Sequence, residues 1–198
     1  MPRFGRVKVK TAPTVEPLTV AEAKLHLRVD HADEDATIER MIVAVREYAE
    51  KYLRRSLIST TLQLYLDSFP SSRDGAIYLP RGPVASVTSV GYTDTTGAAG
   101  TVASYQSDLV SEPARLLPAY DDVWPDTREV VNAVVVEYVA GYGAAATAVP
   151  QRIRAGLLVA LSDLFENRGA VVTGTIVSEV PSVAAERLWH PFRLFEQP

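Results

Sequence analysis

Residues 18–30 read LTVAEAKLHLRVD, a stretch that opens with Thr19 followed three positions later by Glu22. In this arrangement each of the two side chains hydrogen-bonds a backbone N–H of the other residue at the start of a helix. The apolar residues that flank the pair are placed to pack across the helix entry. The stretch therefore predicts a first, short helix that runs to about Val29.

A second, longer helix is predicted after the acidic run 30–35, where Asp33 is placed to cap the first turn. From Ile38 onward apolar residues recur every three or four positions, the period of one helical face. This apolar face comprises Ile38, Met41, Ile42, Val45, Ala49, Tyr52 and Leu53. The other face predicts solvent or a polar contact with another subunit, because it carries Glu39, Arg46, Glu47, Glu50, Lys51 and Arg54.

The middle of the chain changes to the period-two alternation of β-strands after Ser59. Turn-forming residues separate the apolar runs, and Gly97 to Gly100 predicts a hairpin tip. The last strand is apolar at both alternations, which indicates a central position. The predicted strands are 62–66, 76–79, 84–92, 101–106, 114–117 and 131–140.

A third helix is predicted from Pro150, because proline suits a first helical turn and an apolar stripe follows it to about Asn167. This helix is expected to pack on the second one. The fold class is therefore α+β: a small helical bundle of two N-terminal helices and a late helix, with an inserted antiparallel β element and an extended C-terminal tail. We expect one domain over 1–198, made of a helical part 16–58, the β element 59–148, the late helix 149–169 and the tail 170–198.

Composition excludes several classes of function. The 198 residues include no cysteine. Their formal net charge of -4 argues against a protein whose main task is to wrap or read nucleic acid. The sequence contains no run of about 18 apolar residues, so a membrane-spanning helix is not expected. The basic N-terminus, with Arg3, Arg6, Lys8 and Lys10, has no apolar run behind it and is not expected to be a secretory signal.

Sites for chemistry are poorly supported. The stretch 141–146 resembles a dinucleotide fingerprint, but Pro150 starts the following helix too late for phosphate contact, so a flexible turn is favoured. His26, His31 and the acidic run 30–35 offer metal-ligand types at a spacing that matches no known closed site. A carboxylate pair for acid–base work stays open, since 24 acidic residues are present. We predict no catalytic residue, metal or cofactor.

The tail is apolar for a chain terminus. Its candidate partner-binding residues are of the types that anchor protein interfaces: Leu188, Trp189, Phe192, Arg193 and Phe195. The tail could dock on a partner or fold back to complete its own core, and composition favours neither alternative.

Several motifs together resemble the head-tail connector (adaptor) proteins of long-tailed phages, prophages and gene transfer agents. The matching stretches are Leu18 to Lys24, His26 to Asp30, Asp33 to Asp35 with Ile38, Leu79 to Val84 with Ser86 and Val87, Tyr120 with Trp124 and Pro125, Ala140 to Gly143, Pro150 with Ile153, and Glu166 to Arg168. The resemblance implies a structural protein without catalysis that forms a ring, usually of twelve subunits, below the portal. DNA then passes through the channel and the C-terminal segment reaches the portal.

The predicted function is thus a head-tail connector in a virion or phage-like particle, assembled in the bacterial cytoplasm. Its predicted partners are the portal protein, a downstream tail-side (stopper) connector and its own subunits, with DNA only in transit and no membrane. The alternative is a DNA-associated factor of the packaging machinery, suggested by the basic N-terminus.

The apolar face of the second helix yields a first prediction. Ile42→Asp should lower the free energy of unfolding by several kcal/mol, because it places an unpaired carboxylate in the core. Chemical denaturation followed by circular dichroism measures this, and an unchanged midpoint would mean that the apolar face is misplaced.

Overall fold

The computed structural model describes residues 5–71, 75–167 and 183–195. The chain divides into two compact units: a β unit formed by Met1–Pro13, Ser59–Tyr142 and Leu194–Pro198, and a helical unit formed by Thr14–Ile58 and Gly143–Arg193. The α+β class is confirmed, since the described residues form four α-helices and two antiparallel sheets. A single connector domain over 1–198 stays a prediction.

The β unit holds a five-stranded sheet in the order β1-β2-β8-β4-β5 and a three-stranded sheet in the order β3-β7-β6. The expected central position of the last strand is confirmed, because β8 lies between β2 and β4. The strands are β1 (Arg6–Thr11), β2 (Thr60–Leu66), β3 (Ile77–Leu79), β4 (Val84–Thr93), β5 (Ala99–Thr101), β6 (Tyr105–Asp108), β7 (Ala114–Pro118) and β8 (Val134–Ala140).

Strand alternation builds the core of the β unit. Leu62 and Leu64 of β2 are buried together with Val136 and Tyr138 of β8, while the intervening residues are more exposed. The hydroxyl of Tyr138 donates to the Pro80 carbonyl at 2.8 Å, so its polar end is satisfied inside the core. The predicted hairpin tip joins β4 to β5.

Strand β1 was not predicted from the sequence. The N-terminal stretch was interpreted only as a basic arm, yet its residues 6–11 pair antiparallel with β2. The alternation of basic and apolar residues in Arg6–Thr11 is a strand pattern, and the charges obscured it because they lie on an edge strand, where lysine is common.

The helical unit contains α1 (Val20–Leu27), α2 (Asp35–Leu53), α3 (Gln151–Glu166) and α4 (Val183–Trp189). The predicted cap is confirmed: the Thr19 hydroxyl accepts from the Glu22 N–H at 3.1 Å, and the Glu22 carboxylate accepts from the Thr19 N–H at 3.0 Å. Helix α1 ends two residues earlier than expected. The cap of α2 is Glu34, without a side-chain hydrogen bond, and the prediction of Asp33 was wrong by one residue.

Helix α3 packs on α2, as predicted, and the stretch expected to be an extended tail contains the additional helix α4. Two buried arginines hold the chain segment that leads into α1. Arg46 of α2 donates to Glu16 at 2.7 Å, and Arg154 of α3 donates to the Pro17 carbonyl at 3.1 Å. Arg154 also pairs with Glu22, so that carboxylate is tied both to its own helix and to α3.

The polar face of α2 differs from the prediction, because Arg46 and Glu50 are 8% and 7% exposed. They form an i, i+4 ion pair at 3.2 Å, and the second Glu50 oxygen accepts from the Leu57 N–H at 2.9 Å. At 3.6 residues per turn these positions border the apolar face, and each charge is buried with a partner. The sequence showed the charges but not the partner Glu16, which lies 30 residues away.

The buried ion pair yields a second prediction. Arg46→Ala should lower the free energy of unfolding of the helical unit by roughly 3 kcal/mol, because it removes the buried cation that pairs with Glu50 at 3.2 Å and with Glu16 at 2.7 Å. Lys51→Ala, at an exposed position of the same helix, should change it by less than about 0.5 kcal/mol. Urea denaturation of both variants tests this, and equal midpoints would contradict it.

Candidate partner-docking site

Trp189, predicted to anchor a partner, lies inside the helical unit with no exposed surface. Its indole N–H donates to the Ile153 carbonyl at 3.1 Å, and its ring lies 5.6 and 6.0 Å from the rings of Tyr48 and Tyr52, centroid to centroid. Trp189 therefore completes the core of its own unit, one of the two alternatives that the sequence left open.

Gly156 of α3 makes the close approach of this ring possible. A Cβ atom at position 156 would lie 2.3 Å from the indole nitrogen of Trp189, far closer than two such atoms can pack. Glycine in a helix interior costs about 1 kcal/mol relative to alanine, so its presence in the middle of α3 was a readable sign of a close contact.

Polar contacts hold the C-terminal segment on both sides of Trp189. The Tyr48 hydroxyl donates to Glu186, and burial together with this carboxylate raises the pKa of Tyr48 well above its usual range. Arg55 donates to the Phe192 carbonyl, and the Arg193 guanidinium lies 4.9 Å from the Tyr52 ring centroid, a cation–π distance.

The five predicted residues thus differ in accessibility. Trp189 is buried, Leu188, Phe192 and Arg193 are half-buried, and Phe195 is 61% exposed. The structure brings Trp189 and Arg193 together at Tyr52, and it leaves Phe195 as the exposed aromatic of the set. Their role in portal binding stays a prediction.

A second candidate surface lies in the β unit and was missed from the sequence. It is a groove of about 1050 Å³ lined by residues 67–71, Gly75, Gln106 and residues 117–131, which we call the acidic groove. Phe69 and Trp124 stack in its wall, with ring centroids 4.9 Å apart and planes 6° from parallel. The Trp124 indole N–H donates to the Gly75 carbonyl at 2.6 Å, which fixes the ring.

The lining of the acidic groove combines exposed apolar side chains with carboxylates. Tyr120, Val123 and Val131 are 84%, 79% and 79% exposed. The exposed acidic residues are Asp67, Asp121, Asp122, Asp126 and Glu129, against the single described basic residue Arg128. The available signal was the length of the connection 118–130 between two predicted strands, since loops of this size without secondary structure are uncommon unless they have a function.

The other stretches considered for chemistry have structural explanations. In the glycine stretch 141–146, the Gly141 N–H donates to the Pro83 carbonyl at 2.8 Å, and α3 begins only at Gln151. Of the metal-ligand candidates, His31 lies 3.8 Å from Asp33, while Asp35 pairs with Lys24 at 2.7 Å. Within the described ranges no three His, Asp or Glu side chains are placed to hold a metal ion.

The basic N-terminal stretch is partly neutralised. The ammonium of Lys10 lies 2.7 and 2.9 Å from the two carboxylate oxygens of Glu137, and this contact lowers the pKa of that carboxyl group. Arg6 and Lys8 are exposed on the same edge strand. Among the described residues, no helix is long and apolar enough to cross a membrane.

The family model of phage gp6-like head-tail connector proteins matches residues 17–122 of the 198. This match covers more than half of the chain, and the chain therefore belongs to that family of structural connector proteins. The predicted family is confirmed. A search of curated proteins gives no match.

Solved structures from gene transfer agent (GTA) particles have a similar fold. A chain in the neck of an empty GTA particle, computed with C6 symmetry, is 22% identical with a TM-score of 0.78, covering 98% of this chain and 97% of that one. A chain in the virion of a native GTA particle is 23% identical with a TM-score of 0.78, covering 97% of both. A chain from the neck of a native GTA particle computed with C12 symmetry is 21% identical with a TM-score of 0.70, covering 98% and 97%.

The contact between Gly156 and Trp189 yields a third prediction. Gly156→Ala should lower the thermal unfolding midpoint, because the added methyl group overlaps the indole, although alanine is the better helix former. In a Trp189→Leu background the same substitution should no longer destabilise, since the overlap is gone. A loss of stability of equal size in both backgrounds would contradict this explanation.

Proposed function

We propose that this connector forms a ring, of twelve subunits, at the head-tail junction of a phage or GTA-like particle. The ring lies below the portal and joins the capsid to the tail, and DNA passes through its channel. The carrying observation is the family match over residues 17–122. The similar fold of chains in GTA necks, one computed with C12 symmetry, supports the ring.

The proposed partners are the portal protein, a tail-side stopper connector and further copies of this chain. On the portal side we assign the contact to the C-terminal segment, with Phe195 as its main contact and Leu188 as a further one. Trp189 does not contact the portal in this proposal. Because it is buried, it fixes α4 to its own subunit, and the accessible aromatic after α4 is then presented to the portal.

Contact with DNA is proposed to be weak and only in transit, and the chain is proposed to have no catalytic activity. A net charge of -4 disfavours retention of a polyanion in a channel. The packaging-factor alternative rests on the basic N-terminus, and it loses support because the Lys10 charge is balanced by Glu137.

Reconstitution tests this function. The purified chain is mixed with the portal ring of its particle, separated by size and imaged by electron microscopy, and a twelvefold ring stacked on the portal is expected. Phe195→Ser should weaken the association about tenfold, the loss of roughly 1.4 kcal/mol expected of an interface anchor. Val110→Ser, at a position 94% exposed in the β unit, is the matched control and should bind normally.

The outcomes separate the parts of the proposal. A ring on the portal with unaffected binding of Phe195→Ser would keep the ring and reject the docking residue. No association with the portal, together with DNA binding that falls steeply as salt rises, would replace the connector role by the packaging-factor alternative.

A further inference from the structure

A tight turn presents a carboxylate at the rim of the acidic groove. The Asp122 N–H donates to the Ala119 carbonyl at 3.0 Å, and Asp121, at the third position of this turn, has a φ of 57°. Glycine adopts positive φ more readily than aspartate, so glycine would form this turn at a lower conformational cost. No hydrogen bond or ion pair joins the Asp121 side chain to another described residue. The fold of the described β unit therefore gives no reason for an aspartate at this position.

The loop around this turn is both negative and apolar. Asp121 and Asp126 are exposed, and the same loop carries the exposed side chains of Tyr120 and Val123. Trp124 lies between Val123 and Asp126 in the chain, and the hydrogen bond of its indole N–H holds it in place. A partner that fits this rim carries its positive charges on apolar stems, because the stems can cover the apolar side chains while the charges reach the carboxylates.

The edge strand of the same β unit has this chemistry. Arg6 and Lys8 of β1 are exposed, and neither side chain makes an ion pair or hydrogen bond with another described residue, whereas Lys10 is bound to Glu137. Strand β1 pairs with β2 alone among the described strands, so its outer edge is accessible. Basic side chains protect such an edge against unspecific strand pairing, and they also leave two cations available to an acidic surface.

The two surfaces suit a contact between copies of the chain. Val7 lies between Arg6 and Lys8 in β1 and packs against the core cluster that contains Phe69 of the groove wall. Because side chains alternate along a strand, the two basic side chains point to the face of the sheet opposite that cluster. Pairing with β2 keeps β1 in this orientation. Two different patches that complement each other between copies form a head-to-tail contact, which closes into a ring when the rotation between neighbours permits.

We propose that the basic pair Arg6 and Lys8 of one subunit binds in the acidic groove of the next subunit. The two cations lie against the carboxylates of Asp121 and Asp126, and their apolar stems cover Tyr120. The contact recurs around the ring with one polarity, so it selects a copy of this chain as the lateral neighbour and fixes its direction. This inference rests on the proposed ring and assigns its lateral contact.

Charge exchange on the portal tests the pairing. Arg6→Glu/Lys8→Glu and Asp121→Lys/Asp126→Lys each place like charges across the contact. Each variant alone should therefore form rings on at least about tenfold fewer purified portals than the wild-type chain, counted by electron microscopy. An equimolar mixture should restore ring formation to within about twofold, because the glutamates of one variant then meet the lysines of the other. Native mass spectrometry of these rings should find the two variants in equal numbers.

A milder variant separates recognition from folding. Asp121→Gly removes the carboxylate but keeps a residue that suits the positive φ, so the thermal unfolding midpoint should stay close to that of the wild type. Ring formation should nevertheless fall about threefold or more. The control Arg40→Glu/Lys51→Glu makes the same charge change as the β1 variant at exposed positions of the helical unit, and it should form rings normally. Circular dichroism verifies that all variants are folded.

The outcomes distinguish this inference from the ring on which it rests. Normal rings from both charge variants would overturn the pairing and keep the ring. Loss of rings without rescue in the mixture would give the two surfaces separate partners, and an equal loss in the control would reduce the effect to net charge, and both results would overturn the pairing. No wild-type ring on the portal would remove the proposed function and the lateral contact together.

Discussion

Two buried arginines of the helical unit bind the same short stretch of chain, and these contacts join three of its segments. Arg46 and Arg154 come from different helices, and both bind within residues 16–22, the one through Glu16 and the other through Pro17 and Glu22. A buried charge without a partner is strongly destabilising, and this stretch supplies partners to both arginines, in addition to Glu50 on the helix of Arg46. Glu22 also belongs to the cap of α1, so this one carboxylate joins the start of α1 to α3.

The two candidate surfaces differ in chemistry. In the C-terminal segment the largest aromatic side chain, Trp189, is buried in the core of its own unit, and the smaller Phe195 is exposed. The acidic groove instead combines a rigid aromatic stack with exposed carboxylates on one long loop. A connector that meets several neighbours needs surfaces of different chemistry, because each contact must reject the other partners.

Local patterns in the sequence predicted much of the fold, and long-range pairings account for what was missed. The cap at Thr19, the apolar face of α2 and the central strand β8 are properties of neighbouring residues, and the structure confirms all three. The burial of Arg46 could not be seen, since its partner Glu16 is local to another segment. Strand β1 was missed for a different reason: an edge strand often carries charge, and its charged residues were interpreted as a basic arm.

For the candidate sites, too, the sequence predicted local features and missed those that depend on long-range contacts. Composition identified the C-terminal segment as unusually apolar for a chain terminus. It does not determine whether an aromatic side chain is buried or exposed, and Trp189 is buried. The acidic groove needs residues 67–71 beside residues 117–131, a neighbourhood that only the paired strands create.

The interlock of Gly156 and Trp189 has a consequence for the history of the family. Because a side chain at position 156 and an indole at position 189 exclude each other, position 156 cannot gain a side chain while the tryptophan is present. Related connectors that keep the tryptophan should keep the glycine, and lineages that replace the tryptophan by a small residue gain the freedom to restore alanine in the helix. The choice of residue at position 156 thus depends on position 189, although 32 residues separate them along the chain.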